Sequence, residues 1–318
     1  MDRFSSHFLR INEELGRNLS SRVPMIEEIG THSLLGEGKR IRPLLFVLSS
    51  QLCGYQAEDI YRYSTIFEYI HTASLLHDDV LDNAETRRKK PSVNQVWGNS
   101  AAVLGGDFIY SKSIGIALES RNLRFMKLLT DTTMKMAEGQ ILELIHTHNW
   151  HLSRDEYMEI ITSKTAVLIS AACACGAILS GADEWALDHL AQFGLNMGVA
   201  FQLMDDLLDY TSSEEELGKP AGKDLREGKI TLPLIYALSN LKMEDVSRLE
   251  DLFKNHKAQE EDYCRIIHSV RENGVIDLIR SEAKVYLDKA ARSLHPFSDS
   301  LRKGDLLDLN SYIIERRC

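Results

Sequence analysis

Apolar residues recur at three- and four-residue spacing along most of the chain, the pattern of helices that bury one face. It predicts helices over 5–19, 41–53, 57–82, 99–118, 122–148, 154–180, 184–210, 230–240 and 262–291. The breaks between them are short: Gly36-Glu37-Gly38, Asn83 to Pro91, Asn149 to Ser153 and Gly181-Ala182-Asp183. The longest, Thr211 to Gly228, is polar and rich in Glu, Gly and Lys. Ser153 followed by Glu156 has capping-box spacing and predicts a helix start. Strand-like alternation bounded by hairpin turns is absent, and no shift in composition divides the chain. The prediction is a single all-α domain over residues 1–318, with central helices apolar on most faces and amphipathic helices after residue 241.

One stretch, Thr165 to Ala182, lacks charge over about the length at which a spanning helix becomes possible. It is mostly Ala, Ser, Cys, Gly and Thr, which predicts a closely packed core helix and no membrane span. Six prolines and nineteen glycines leave few places to break the chain, consistent with long helices. Asp plus Glu (47) exceed Lys plus Arg (37), giving a net charge of −10. Such a chain repels a nucleic-acid backbone, so any anionic partner needs a local basic cluster. Cys53, Cys173, Cys175, Cys264 and Cys318 form no Cys-x-x-Cys pair and read as free thiols. With a charged opening that lacks a secretory apolar region, the chain is expected to be cytoplasmic.

Two acidic clusters change the picture. HDDVLD and MDDLLD each contain Asp-Asp-x-x-Asp: Asp78, Asp79 and Asp82, then Asp205, Asp206 and Asp209. On a helix, positions i and i+4 share a face, so Asp78 projects with Asp82 and Asp205 with Asp209. A solvated acidic face is the plain reading of one such cluster. Both, however, follow apolar runs (HTASLL and GVAFQLM), where carboxylates repel one another unless cations neutralise them. All-oxygen clusters with room for water suit Mg²⁺ shared with substrate phosphates. Basic residues flank both clusters: Lys39, Arg40 and Arg42 in GEGKRIRP; Arg87, Arg88, Lys89 and Lys90; and Lys219, Lys223 and Lys229. Carboxylates and cations converging on one site would hold a diphosphate ester and stabilise diphosphate as it leaves, above an apolar cavity that keeps water from the resulting cation.

In this order the motifs resemble those of the trans-isoprenyl diphosphate synthase (polyprenyl synthetase) family, from about residue 34 to 240. GEGKRIRP resembles the isopentenyl diphosphate-binding segment and implies Lys39 and Arg42. IHTASLLHDDVLDNAETRR resembles the first aspartate-rich motif. It implies His71 and Arg88 at isopentenyl diphosphate, Asp78, Asp79 and Asp82 at the metal, and Arg87 at the allylic diphosphate. SKTA supplies Lys164 and Thr165; FQLMDDLLDY supplies Gln202 with Asp205, Asp206 and Asp209; and GKPAGKDLREGKITLP supplies Lys219, Asp224 and Lys229. Lys223 and Glu37 depart from the family pattern. The resemblance implies antiparallel helices around a deep central cavity (the isoprenoid synthase class I fold), a homodimer, three Mg²⁺ ions and head-to-tail (1′-4) condensation of isopentenyl diphosphate with an allylic diphosphate.

Ala73 and Ser74 stand about one turn before Asp78, where aromatic residues close the pocket of short-chain members. Small side chains here predict products longer than farnesyl, in the hepta- to decaprenyl range; the alternative is geranylgeranyl or farnesyl diphosphate. Phe67, Ile70, Met134 and Met136 are candidates for the pocket floor. A class I terpene cyclase shares the first motif but needs no second-substrate segment. A di-iron bundle would use the Glu-x-x-His pairs Glu68/His71 and Glu143/His146, leaving both Asp clusters unexplained. A non-catalytic synthase subunit is a further alternative, although this chain keeps all six aspartates. His146, His148 and His151 with Trp150 read as a helix end and surface loop.

Overall fold

A computed structural model describes residues 2–36, 38–211, 221–239, 241–255, 257–272 and 274–315. Helices dominate: α1 Ser5–Arg17, α2 Pro24–Leu34, α3 Ile41–Leu52, α4 Ile60–Leu81, α5 Val93–Trp97, α6 Asn99–Glu119, α7 Leu123–His146, α8 Arg154–Ile161, α9 Val167–Leu179 and α10 Glu184–Thr211. After them come α11 Lys223–Arg226, α12 Leu232–Ser239, α13 Met243–Lys254, α14 Glu260–Glu272, α15 Val275–Leu294 and α16 Leu301–Glu315. The fold is all-α, as the periodicity predicts. The chain forms two compact units, one of Met1–Thr133, Ala171–Ala191 and Ser298–Leu306, the other of Met134–Ser170, Gln192–Phe297 and Leu307–Cys318.

In the first unit α4 is the central rod. It has little amphipathic contrast because it is enclosed on most sides, with Ile66, Phe67 and Tyr69 wholly buried. Phe46 of α3 stacks near Phe67 (5.2 Å between centroids) and meets Phe125 edge-on at 6.3 Å. The Tyr69 hydroxyl donates to the Leu15 carbonyl at 2.8 Å, satisfying the one polar atom of an otherwise apolar side chain. The small residues of α9 lie in this core: Ala171, Ala172, Cys173, Cys175 and Ala177 are 0–1% exposed. Arg154–Leu179 and Asn99–Glu119 are long and apolar enough to cross a membrane, but 67% of the apolar window of the first is buried inside the protein.

The second unit holds the rest of α7, α8, most of α10 and the C-terminal helices. The capping box forms as expected: the Glu156 N–H donates to Ser153 Oγ at 3.2 Å and the Ser153 N–H to Glu156 Oε2 at 2.8 Å. Between α8 and α9, however, Thr162–Ala166 widens into a π-helical turn. Two neighbouring glycines face it. A Cβ on Gly139 would meet the Lys164 nitrogen at 2.5 Å, and one on Gly198 would meet the Ala166 Cα at 2.7 Å. Backbone therefore packs directly on backbone at this turn. Trp150, assigned by the sequence reading to a surface loop, is only 4% exposed because its ring packs on Phe253 at 4.8 Å.

The expectation that hairpins are absent fails at one place. Thr86–Arg87 and Lys90–Pro91 form a two-residue antiparallel ladder, Thr86 opposite Pro91 and Arg87 opposite Lys90. Its two loop residues, Arg88 and Lys89, both have positive φ (52° and 62°). That geometry normally selects Asn or Gly, and each bulky residue held there costs roughly 1–2 kcal/mol. RRKK gives no turn signal, so the pattern could not reveal it.

Candidate active site

The C-terminal end of α4 presents the first acidic motif. Asp78 and Asp82 are half-buried, one turn apart, with Asp82 as the C-cap residue. Asp79 points inward (2% exposed) and is ion-paired with Arg87, whose Nε donates to its Oδ1 at 2.9 Å. Burial alone would lower the Arg87 guanidinium; the Asp79 hydrogen bond and the charges of Asp79, Asp78 and Asp82 outweigh it and raise its pKa.

Arg42 at the start of α3, Arg87 and Arg88 in the hairpin, and the buried Arg40 surround His71. Burial first, then the charges of Arg42, Arg88, Arg87 and Arg40, pushes the His71 imidazole well below its ordinary pKa. A neutral imidazole among guanidinium groups is an environment made for an anion. Lys39, next to Arg40 in the chain, is exposed. Arg40 was grouped with Lys39 and Arg42 from sequence, but it turns the other way. It adopts a left-handed backbone (φ 47°) and donates to Glu68 Oε1 at 2.6 Å, to Asn12 Oδ1 at 3.0 Å and to the Gly36 carbonyl at 3.1 Å, as well as to the Leu34 carbonyl. A side chain on Gly38 would strike the Arg40 and Arg88 guanidinium groups. Glu68 is thereby engaged in the core, which removes it from the Glu-x-x-His alternative; Glu143 pairs with Lys164 in the same way.

In the second unit, α10 carries the second motif near its end. Asp205 is exposed, while Asp206 and Asp209 are buried. The Asp206 carboxylate accepts from Tyr157 Oη and Gln202 Nε2, each at 2.6 Å. Burial pushes this carboxyl up to about 7 against those two bonds, with Asp205 and Asp209 adding to the rise. Asp209 takes the Asp224 N–H on its Oδ2 at 3.0 Å and the Gly222 N–H on its carbonyl at 2.9 Å, so the chain after the motif folds back on it. Burial, and then Asp209 and Asp206, raises Asp224 well above the carboxylate range. Lys229 and Lys223 both contact Glu227, at 2.8 and 3.0 Å. Lys219 lies outside the described residues. The π turn carries Lys164 and Thr165, with Lys164 paired to Glu143. Sequence reasoning missed Tyr157, which lies in no recognisable motif spacing.

Ala73 is buried (2% exposed), whereas Ser74 is half-buried and bonds its hydroxyl to the His71 carbonyl at 2.8 Å. Phe67 and Ile70 are buried, and Met134 is 59% exposed. Among the described residues, no three His, Cys, Asp or Glu side chains are gathered to enclose a cation by themselves. The first motif offers the half-buried Asp78 and Asp82 and the second the exposed Asp205 beside the buried Asp209, an all-oxygen donor set that fits Mg²⁺ completed by water and phosphate oxygens.

The polyprenyl synthetase profile matches residues 23–270. The chain is 34% identical over 307 residues to the octaprenyl diphosphate synthase of Haemophilus influenzae, covering 96% of this chain and 93% of that one. It is 35% identical to heptaprenyl diphosphate synthase component 2 of Bacillus subtilis, covering 96% and 87%. A crystal structure of a polyprenyl synthase from Caulobacter crescentus, complexed with calcium and isoprenyl diphosphate, superposes with a TM-score of 0.95 at 34% identity over 100% of this chain and 97% of that one. By motif, fold and near full-length similarity, the chain belongs to the polyprenyl synthetase family and is a prenyltransferase.

Proposed function

We propose that this enzyme condenses isopentenyl diphosphate head-to-tail (1′-4) with an allylic diphosphate to give all-trans polyprenyl diphosphates in the hepta- to decaprenyl range. The observation that carries the reading is the arginine group around a neutral His71, placed beside the outward carboxylates Asp78 and Asp82 on one helix. Lys39, Arg42, His71 and Arg88 are the isopentenyl diphosphate contacts, and Arg87 is the allylic one. Asp78, Asp82, Asp205 and Asp209 are the proposed ligands of Mg²⁺, which neutralises the departing diphosphate. Asp79 and Asp206, already held by Arg87 and by Tyr157 with Gln202, set the position of these ligands. The ions number three in the reading taken from sequence.

As the allylic carbon–oxygen bond breaks, Lys164, Lys229 and Lys219 supply further positive charge to the leaving group, and Thr165 and Gln202 orient the reacting end. The isopentenyl double bond then forms the new carbon–carbon bond, and a proton passes to the released diphosphate. Small residues at Ala73 and Ser74 leave room for a long tail, in keeping with the hepta-, octa- and nonaprenyl synthases among the relatives. A second copy of the chain is the expected partner. Its support is α6, whose Val103, Leu104 and Leu118 are 38%, 66% and 59% exposed. Free thiols fit a cytoplasmic location.

The test is direct. Asp82→Ala is expected to abolish Mg²⁺-dependent turnover and leave the far-UV circular dichroism unchanged; surviving turnover would discard the metal assignment. Sizing the products formed from labelled isopentenyl diphosphate and farnesyl diphosphate tests the chain length, and release of only farnesyl or geranylgeranyl diphosphate would refute it.

A further inference from the structure

Within the second unit, the short helix α11 is bounded by two glycines with left-handed backbones, Gly222 (φ 73°) and Gly228 (φ 78°). Glycine changes backbone state at little cost, so neither residue by itself fixes where the chain goes next. The first is anchored by the second acidic motif, through the Gly222 N–H on the Asp209 carbonyl and the Asp224 N–H on Asp209 Oδ2. The second is anchored by His148, which the sequence reading leaves on a surface loop. The His148 N–H donates to the Gly228 carbonyl at 2.8 Å, and the imidazole occupies the space of a side chain on Gly228: a Cβ there would meet Nε2 at 2.7 Å, and Nδ1 and Cε1 nearer still. His148 itself has a left-handed backbone (φ 59°), a state that His and Asn tolerate and β-branched residues scarcely adopt.

Lys229 follows directly. Its N–H donates to the Asp224 carbonyl at 2.8 Å, and its ammonium donates to Glu227 Oε2 at 2.8 Å. A continuous run of contacts therefore leads from Asp209 through Asp224 and Lys229 to Gly228 and His148. The loop that carries His148 is well supported. Trp150, 4% exposed, packs on Phe253 of α13 at 4.8 Å, and Phe253 meets Tyr263 of α14 at 4.9 Å. Arg226 of α11 lies over the Tyr263 ring at 4.4 Å and donates to Glu260 at 2.9 Å. One aromatic column thus touches the His148 loop at one end and α11 at the other.

We infer that His148 is a positioning residue for Lys229: by fixing the carbonyl of Gly228 and covering its Cα, it sets the direction in which the Lys229 ammonium is presented to a diphosphate. It touches no substrate itself. The effect on turnover rests on the synthase reading, through the charge that Lys229 supplies there; the contact and its effect on diphosphate binding do not.

The test is a double-mutant cycle with Lys229. It is read by calorimetric titration of inorganic diphosphate with Mg²⁺ present, and by steady-state kinetics with isopentenyl and farnesyl diphosphates. His148→Val, whose branched side chain opposes the left-handed state, is expected to weaken diphosphate binding and lower kcat/KM for farnesyl diphosphate about tenfold or more, as a displaced charge should. KM for isopentenyl diphosphate should stay within about twofold. His148→Asn, which tolerates the backbone state and keeps the N–H, should stay within about threefold of wild type in both readouts. Lys229→Ala should lose at least as much as His148→Val, and in the Lys229→Ala background His148→Val should cost nothing further, whereas a residue that only supports the fold would add its own loss. His151→Ala, which removes only the exposed partner of Glu250, should leave both readouts within about twofold. Where His148→Val melts below the assay temperature, Gly228→Ala, which pushes the ring away from the other side of the contact, takes its place in the cycle. Additive losses, a rise in isopentenyl KM equal to the allylic one, His148→Asn as damaging as His148→Val, or a wild type that binds no inorganic diphosphate would each overturn the inference. If diphosphate binding shows the coupling but the wild type makes no prenyl product, the synthase reading fails and the role of His148 stands.

Discussion

Glu68→Ala tests the reasoning where it is most exposed. Arg40 and Glu68 form a 2.6 Å ion pair with both side chains 3% exposed. Removing one partner of such a pair leaves a desolvated charge and typically costs about 3–5 kcal/mol. Arg40 keeps its bonds to Asn12 and to the Leu34 and Gly36 carbonyls, so the lower end, about 3 kcal/mol, is the expected loss. In a chain of this size that is a Tm drop of roughly 6–12 °C. Because these bonds also fix the turn that carries Lys39 and Arg42, KM for isopentenyl diphosphate should rise more than kcat falls. The assays are thermal melting by circular dichroism and steady-state kinetics at fixed Mg²⁺. Arg40→Met with Glu68→Leu, which leaves no orphaned charge, should be more stable than either single truncation. A Glu68→Ala protein melting within about 2 °C of wild type would refute the claim that the pair is buried and needed.

Three further outcomes follow from the geometry. Gly139→Ala places a methyl group 2.5 Å from the Lys164 nitrogen, so it should cost about 1–3 kcal/mol and lower kcat by moving the π turn; a melt and a kcat equal to wild type would show that the helices yield freely. Ser74→Phe should shorten the product, read by chromatography after dephosphorylation, and an unchanged distribution would remove Ser74 from the tail path. In native protein, thiol labelling should modify the exposed Cys264 and spare Cys173 and Cys175 up to about pH 9. Burial pushes the Cys173 thiol up to about 12 and Cys175 further still; since a raised pKa favours the neutral thiol, the reactive thiolate stays scarce across that range. Rapid labelling of either would mean that α9 is not packed as described.

Long apolar periods were the most legible part of the chain. The expected helices 41–53, 99–118 and 184–210 agree with Ile41–Leu52, Asn99–Glu119 and Glu184–Thr211 to within a residue at each end. The stretch 262–291 reads as one period but is two helices, because Gly274 takes a left-handed backbone (φ 71°) and caps the second. Pro24–Leu34 escaped the periodic reading, although Pro24 at the first turn was an available signal, whereas Met243–Lys254 and Leu301–Glu315 answer the amphipathic helices expected after residue 241 without bounds. At the site, the acidic and basic motifs were legible because each clusters chemistry within a few residues. The inward turn of Arg40, the Tyr157 bond to Asp206 and the hairpin at Arg88 and Lys89 were not. Each depends on a partner far along the chain, or on a backbone state that local composition disfavours.

The turn at Thr162–Ala166 also fixes the length of its own segment. Each residue of a regular helix advances the chain by about 100° around the axis. A π-helical turn holds about one residue more than a regular turn, so taking one residue out would restore an even pitch with the flanking backbone near its present phase, and would carry Lys164 away from Glu143. Substitution within these five positions keeps the wide turn; deletion of a single one removes it, and with it the placement of Lys164.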